Sequence, residues 1–304
     1  MSQNYKGLVL VALAGICWST TGVFANTLLK HGLTAYEVAF SRLFVGSSIF
    51  FVYFMIKDRA LLKLDLFGII LTFLMGLMTQ GLFNMAFFSA IDKIGVINAT
   101  VLLYLAPLFI TIFSVLFYKE KLSKEKVVGV GLSIIGSFLA LTSGKFNFHT
   151  LSLSGLALGL YAGLGYSLVS VFSKLGLKKY NGKTLIFYSF LFGLLVIFPF
   201  ANFDLIMSSL HVPTVSISVI GLGFIAAALA YILYFEGIAT GIELSKVGVV
   251  SMIELILAIA LSVVIVGEAL TFIKLLGILL ILVSIYVINK PKKRISNATV
   301  MPLD

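Results

Sequence analysis

One carboxylate, Glu254, stands inside the run VVSMIELILAIALSVVIVG (residues 249–267) of this 304-residue chain. Placing such a group at the centre of a bilayer costs about 2.5–3.5 kcal/mol, so it is expected where a proton, a partner or a wet cavity requires it. The other reactive side chains do not assemble into a catalytic set. His31, His149 and His211 are far apart and lack HExxH spacing, and Cys17 is the single cysteine, so no CxxC pair exists. Zinc sites and disulfide frameworks need those spacings. No nucleophile elbow or phosphate-binding loop stands at a plausible position. The residues therefore read as those of a protein that is not an enzyme, binds no metal and uses no cofactor.

Other polar side chains sit deep in apolar segments. Arg42 lies about seven residues, roughly 10 Å, inside the second segment. It can snorkel to the surface, pair with a carboxylate, or meet an anionic group of a bound solute. Trp18 and Asn26 belong to the first segment, Gln80 and Asn84 to the third, Asn98 and Tyr104 to the fourth, Tyr161 and Tyr166 to the sixth, and Tyr231 to the eighth. Gln80 and Asn84 are four apart, so a regular helix would present both amides on one face. With Glu254 these residues form the candidate set for a binding site or pathway. Each can equally be glue, hydrogen-bonding one helix to the next. Amides and aromatics suit a neutral or zwitterionic solute, including a planar one, better than a phosphorylated sugar. Lys174, at the inner end of the sixth segment, is expected to snorkel, and Pro107 either lines the pathway or simply kinks its helix.

The elements that must position these residues are membrane helices. Sixty per cent of the chain is hydrophobic and 11% charged, against about 25% charged in soluble domains. Apolar windows predict ten spans, at about 7–29, 35–56, 66–90, 94–117, 127–143, 153–173, 184–201, 215–236, 247–266 and 270–289. The opening run passes signal-peptide length and is read as an uncleaved first helix. Lysine and arginine concentrate in the even-numbered loops and in the tail at 290–304, whereas the opposite face holds only Lys30, Lys93, Lys145 and Lys274, with Arg42 inside a helix. That bias predicts both termini on the cytoplasmic side of the cell membrane. It also accounts for the net charge of +10 through topology and membrane lipids, with no nucleic-acid partner.

The chain repeats itself. EKLSKEKVVG (120–129) and EALTFIKLLG (268–277) coincide at an offset of 148, which also places Gly7 on Gly155, Gly15 on Gly163, Trp18 on Tyr166 and Phe24 on Phe172. Five helices per half is an odd number, so the second half starts on the opposite side and the repeats are inverted. The expected fold is an all-α integral membrane protein of ten transmembrane helices, built as repeats 7–143 and 153–289. Inverted repeats place a substrate site near the midplane between the halves.

With WSTTGVFAN (18–26), FSRLF (40–44), YLAPLF (104–109) and YKEKL (118–122) in the first half and YFEGI, MIEL and VGEAL in the second, the sequence resembles the EamA-type branch of the drug/metabolite transporter superfamily. The resemblance implies ten helices, inward termini and a central cavity. The family pattern at the ninth helix resembles Glu-Pro, where this chain has Glu254-Leu255. A channel would show charge rings or a filter sequence. The expected function is a secondary transporter moving a small amino-acid-like metabolite by alternating access, with uptake of a planar vitamin such as riboflavin as the alternative. Glu254 is read either as a proton-coupling group or as a brace that meets Arg42.

Overall fold

The computed structural model describes residues 3–145 and 152–290, and every regular element among them is helical. His149 and the basic tail beyond Lys290 lie outside the described residues. Among these, nine helices are long and apolar enough to cross a membrane. They are α1 (Asn4–Lys30), α2 (Ala35–Lys57), the run Leu66–Leu103, α5 (Lys124–Thr142), α6 (Leu153–Gly176), α7 (Gly182–Phe200), α8 (Pro213–Ala239), α9 (Leu244–Ile265) and α10 (Phe272–Asn289). A shorter apolar helix covers Ala106–Tyr118. The 38-residue run Leu66–Leu103 counts once among the nine but is not one continuous helix. At Gly95 the backbone adopts φ +80°, which breaks the helix and which glycine tolerates without strain. Helix α3 ends there, and α4 begins and continues through Ala106–Tyr118. Among the described residues ten helices in two inverted halves result, as the apolar windows and the repeat predict.

Equivalent residues start equivalent helices. Ser123 accepts from Lys126 N–H at 3.4 Å to cap α5, and Thr271 accepts from Lys274 N–H at 3.2 Å to cap α10. Thr34 and Glu37 form a reciprocal capping box at α2, satisfying N–H groups that the first turn leaves orphaned. Lipid gives helices no hydrophobic reason to associate, so small residues that allow close approach carry the packing. The Gly155, Gly159 and Gly163 face of α6 lies on Ile94, at the end of α3, and on Leu102 of α4. Gly277 of α10 lies so close to α5 that a Cβ there would fall 2.4 Å from the amide nitrogen of Ala140.

Two irregularities recur in both halves, the π turns at the offset of 148 and the helix breaks within one residue of it. Helix α3 contains a π-helical turn at Gly76–Gly81 and α8 one at Phe224–Leu229. Helix α4 breaks at Tyr104 and Leu105, and α9 at Ser251 and Met252. Pro107 stands in the first turn after the α4 break. Helix α9 breaks without a proline, as Leu255 holds the corresponding place. Gly15 of α1 is pressed against that break, where a Cβ would lie 2.6 Å from Ile253 Cγ2 and 3.2 Å from the Ser251 carbonyl.

Candidate functional site

A cavity of about 870 Å³ lies between the halves, reached by Thr79 of the α3 π turn, by Tyr104 at the α4 break and by Glu254 just after the α9 break. Its mouth is formed by Leu29, Thr34, Tyr36, Asp92 and Val96, at the face poor in lysine. Eight residues singled out from sequence line it: Trp18, Asn26, Arg42, Asn84, Tyr104, Tyr166, Tyr231 and Glu254. Gln80, Asn98 and Tyr161 are not among the lining residues.

The α9 break explains how the chain carries Glu254. Ile253–Leu261 is a new helix, and Glu254 lies in its first turn. Unpaired N–H groups and the helix dipole there favour negative charge, an arrangement that discontinuous membrane helices use at midplane sites. The Tyr166 hydroxyl donates to Glu254 Oε2 at 2.9 Å. The expected brace with Arg42 is not made, and among the described residues no ion pair joins Arg42 to Glu254.

Arg42 does not snorkel. Its Nη2 crosses to α8 and donates to the Ala226 carbonyl at 3.0 Å. Ala226 lies in the π turn, where the wider winding disrupts the regular ladder and frees carbonyls for side chains. The guanidinium carbon also lies 5.9 Å from the centre of the Tyr231 ring. The matching turn in α3 behaves alike, with Asn84 Nδ2 donating to the carbonyl of Gln80. That turn also overturns the expectation of paired amides. A π turn carries one residue more than an α turn, so positions across it lose their shared face. The Gln80 side chain instead donates to the Tyr231 hydroxyl at 2.9 Å and sets that ring. Asn98 Nδ2 donates to the Ile94 carbonyl across the Gly95 break at 2.8 Å.

Aromatic rings make the inner wall. Trp18 packs its ring 6.0 Å from Tyr166, its repeat counterpart, 5.4 Å from Tyr231 and 4.9 Å from Tyr234. Trp18 Nε1 and Arg42 Nε are buried without a hydrogen-bond partner among the described residues. A site with opposite charges on two walls, donors between them and aromatic surface behind can hold a small polar solute and orient it.

A second charged cluster closes the lysine-rich end, and sequence reasoning underrated it. Glu120, between α4 and α5, accepts from Lys174 Nζ at 3.0 Å, Lys126 Nζ at 3.3 Å, Ser245 Oγ at 3.0 Å and Leu244 N–H at 2.7 Å. Lys126 also pairs with Glu243 at 3.1 Å. Lys174 is thus an ion-pair partner rather than a snorkelling lysine, and its Nζ lies 4.8 Å from the centre of the Tyr118 ring. Burial opposes ionisation of Glu120, but the Leu244 N–H and the two ammonium groups outweigh it and hold the carboxyl below the usual glutamate range. The coincidence of Glu120 with Glu268 and of Lys126 with Lys274 in the repeat was the available signal.

This geometry has relatives. The sequence profile described as the EamA-like transporter family matches residues 5–142 and 153–290, one copy per half. An uncharacterized transporter of Archaeoglobus fulgidus is 26% identical over 92% of this chain and 95% of its own length. The uncharacterized inner membrane transporter YicL of Salmonella typhimurium is 24% identical over 98% of this chain and 100% of its own. A crystal structure with 18% sequence identity superposes with a TM-score of 0.78, covering 93% of this chain and 96% of that one, and so shares the fold. With two inverted five-helix halves, each matched along nearly its whole length by the same profile, this multi-pass membrane protein belongs to the EamA-like transporter family.

Proposed function

We propose that the chain is a secondary carrier for a small zwitterionic metabolite of amino-acid type, working by alternating access without ATP hydrolysis. The observation that carries this reading is the placement of Arg42 and Glu254 on walls of one cavity with no ion pair between them. A carboxylate meets Arg42, whose buried Nε has no hydrogen-bond partner among the described residues, and an ammonium group meets Glu254. Asn26 and Asn84 supply further amide contacts, and Trp18 and Tyr104 exclude water. The lysine-rich face is cytoplasmic and the protein lies in the cell membrane, an orientation supported by the charge bias alone. The EamA family points to transport rather than catalysis.

The aromatic wall of Trp18, Tyr166 and Tyr231 favours the second reading, a planar vitamin such as riboflavin. One experiment separates the two. Ligands that bind the native state raise its thermal midpoint, so purified protein is heated with amino acids, their decarboxylated amines, their N-acetyl derivatives and riboflavin. Zwitterions stabilise, while amines and N-acetyl derivatives, each lacking one charge, do not. A shift with riboflavin alone selects the vitamin. Saturable flux of the stabilising solute into proteoliposomes, absent from empty vesicles, completes the test. Linear, unsaturable flux refutes the carrier.

A further inference from the structure

We infer that Glu268 and Lys274 form the open half of a pair of alternating latches whose closed half is the Glu120 cluster. The inference rests on the alternating-access reading and adds the residues that hold each state. At the offset of 148 the ion pair Glu120–Lys126, at 3.3 Å, recurs as Glu268–Lys274, at 3.1 Å. Both pairs join the loop before the last helix of a repeat to the first turns of that helix, and they lie at opposite faces of the membrane.

Their surroundings differ. The Glu120 side chain is 7% exposed, and its partners Leu244, Ser245 and Lys174 come from the other repeat. The Glu268 side chain is 50% exposed. The residues at the repeat positions of Leu244 and Ser245 are Val96 and Ile97, at the start of α4. Leu244 is fully buried, whereas Val96 is 60% exposed and lines the mouth of the cavity. Ile110 is likewise fully buried where its counterpart Ala258 faces the cavity. The structure is therefore latched at the lysine-rich face and open at the other.

Interchanging the conformations of two similar repeats gives the opposite state. In it, Glu268 leaves solvent and seats on the backbone at Val96, beside Asn26, the counterpart of Lys174. This second latch is the weaker one, because Asn26 replaces a lysine and Gly95 stands where Glu243 pairs with Lys126. The resting protein accordingly favours the state described here.

The test follows labelling of Ala258→Cys, in a Cys17→Ser background, by a membrane-impermeant maleimide applied to vesicles of both orientations. Glu120→Gln loosens the closed latch and lowers the labelling rate several-fold. Adding Glu268→Gln removes the competing latch and restores the rate toward that of the parent. Ser245→Ala weakens the same closed latch and serves if Glu120→Gln does not fold. Unchanged labelling in the loosened variant, or no restoration in the double variant, overturns the proposal. Proteoliposome flux keeps the two readings apart. Labelling that shifts as described without flux of any tested solute faults the substrate reading, whereas saturable flux with unresponsive labelling faults the latch.

Discussion

Glu254 is tolerated because three features coincide at one point: the first turn of a half-helix, the Tyr166 hydroxyl at 2.9 Å, and a cavity. Glutamine keeps the acceptor for Tyr166 and removes the titrating group. Glu254→Gln is therefore expected to leave the thermal midpoint within a few degrees while flattening the pH profile of flux in proteoliposomes. A profile that keeps its shape assigns Glu254 the bracing role alone. Arg42→Gln removes the guanidinium that the zwitterion reading needs. Hydrogen bonds to charged groups contribute about 1.5–3 kcal/mol, so solute affinity should fall roughly ten- to hundred-fold, measured as the shift in half-saturating concentration. Charged residues in apolar runs are conspicuous, and both were legible in sequence. The placement of Gln80 away from the cavity lining was not, because one added residue in a π turn moves a side chain to another face without altering composition.

Helix breaks decide where such residues end up. Pro107 marks the break in α4, yet the equivalent break in α9 forms with Leu255 in place of proline. Proline is accepted in a first turn but costs about 3 kcal/mol or more inside a helix. Leu255→Pro is thus expected to yield folded, monodisperse protein with a modestly lowered midpoint, whereas Ile259→Pro, one turn later, should abolish recovery from membranes. Gly15 lets α1 approach the α9 break. Gly15→Val must push Ile253 and the Ser251 carbonyl away, and since a misplacement of about 1 Å can cost a site about a hundredfold in rate, flux should fall far more than expression. Apolar windows between charge clusters predicted ten helices. They were silent on the π turns and on the unmarked break, because these arise where one helix presses on another.

At the scale of the molecule, the Glu120 cluster sets which face is closed. Removing one member of a buried ion pair costs about 3–5 kcal/mol, whereas an exposed pair contributes about 0–1 kcal/mol. Glu120→Gln should accordingly lower the thermal midpoint clearly, and Glu268→Gln hardly at all. The pH dependence has a definite sign. A carboxyl held below its ordinary range stabilises the fold above its unfolded value and loses that contribution as pH falls through its folded value. The midpoint difference between parent and Glu120→Gln is thus full at neutral pH and closes only below about pH 4, which thermal scans across acid pH will check. Composition, apolar windows and the offset repeat by themselves determined the class of fold, the number of crossings and their inversion, because a bilayer accepts only long apolar helices and an odd count of them must invert a repeat. Tertiary structure alone decided that Arg42 reaches a π-turn carbonyl, that Tyr166 rather than Arg42 meets Glu254, and that one of two equivalent ion pairs is buried. Two repeats of similar sequence can pack in two ways of nearly equal energy, and which of them is open is a property of contacts between the halves.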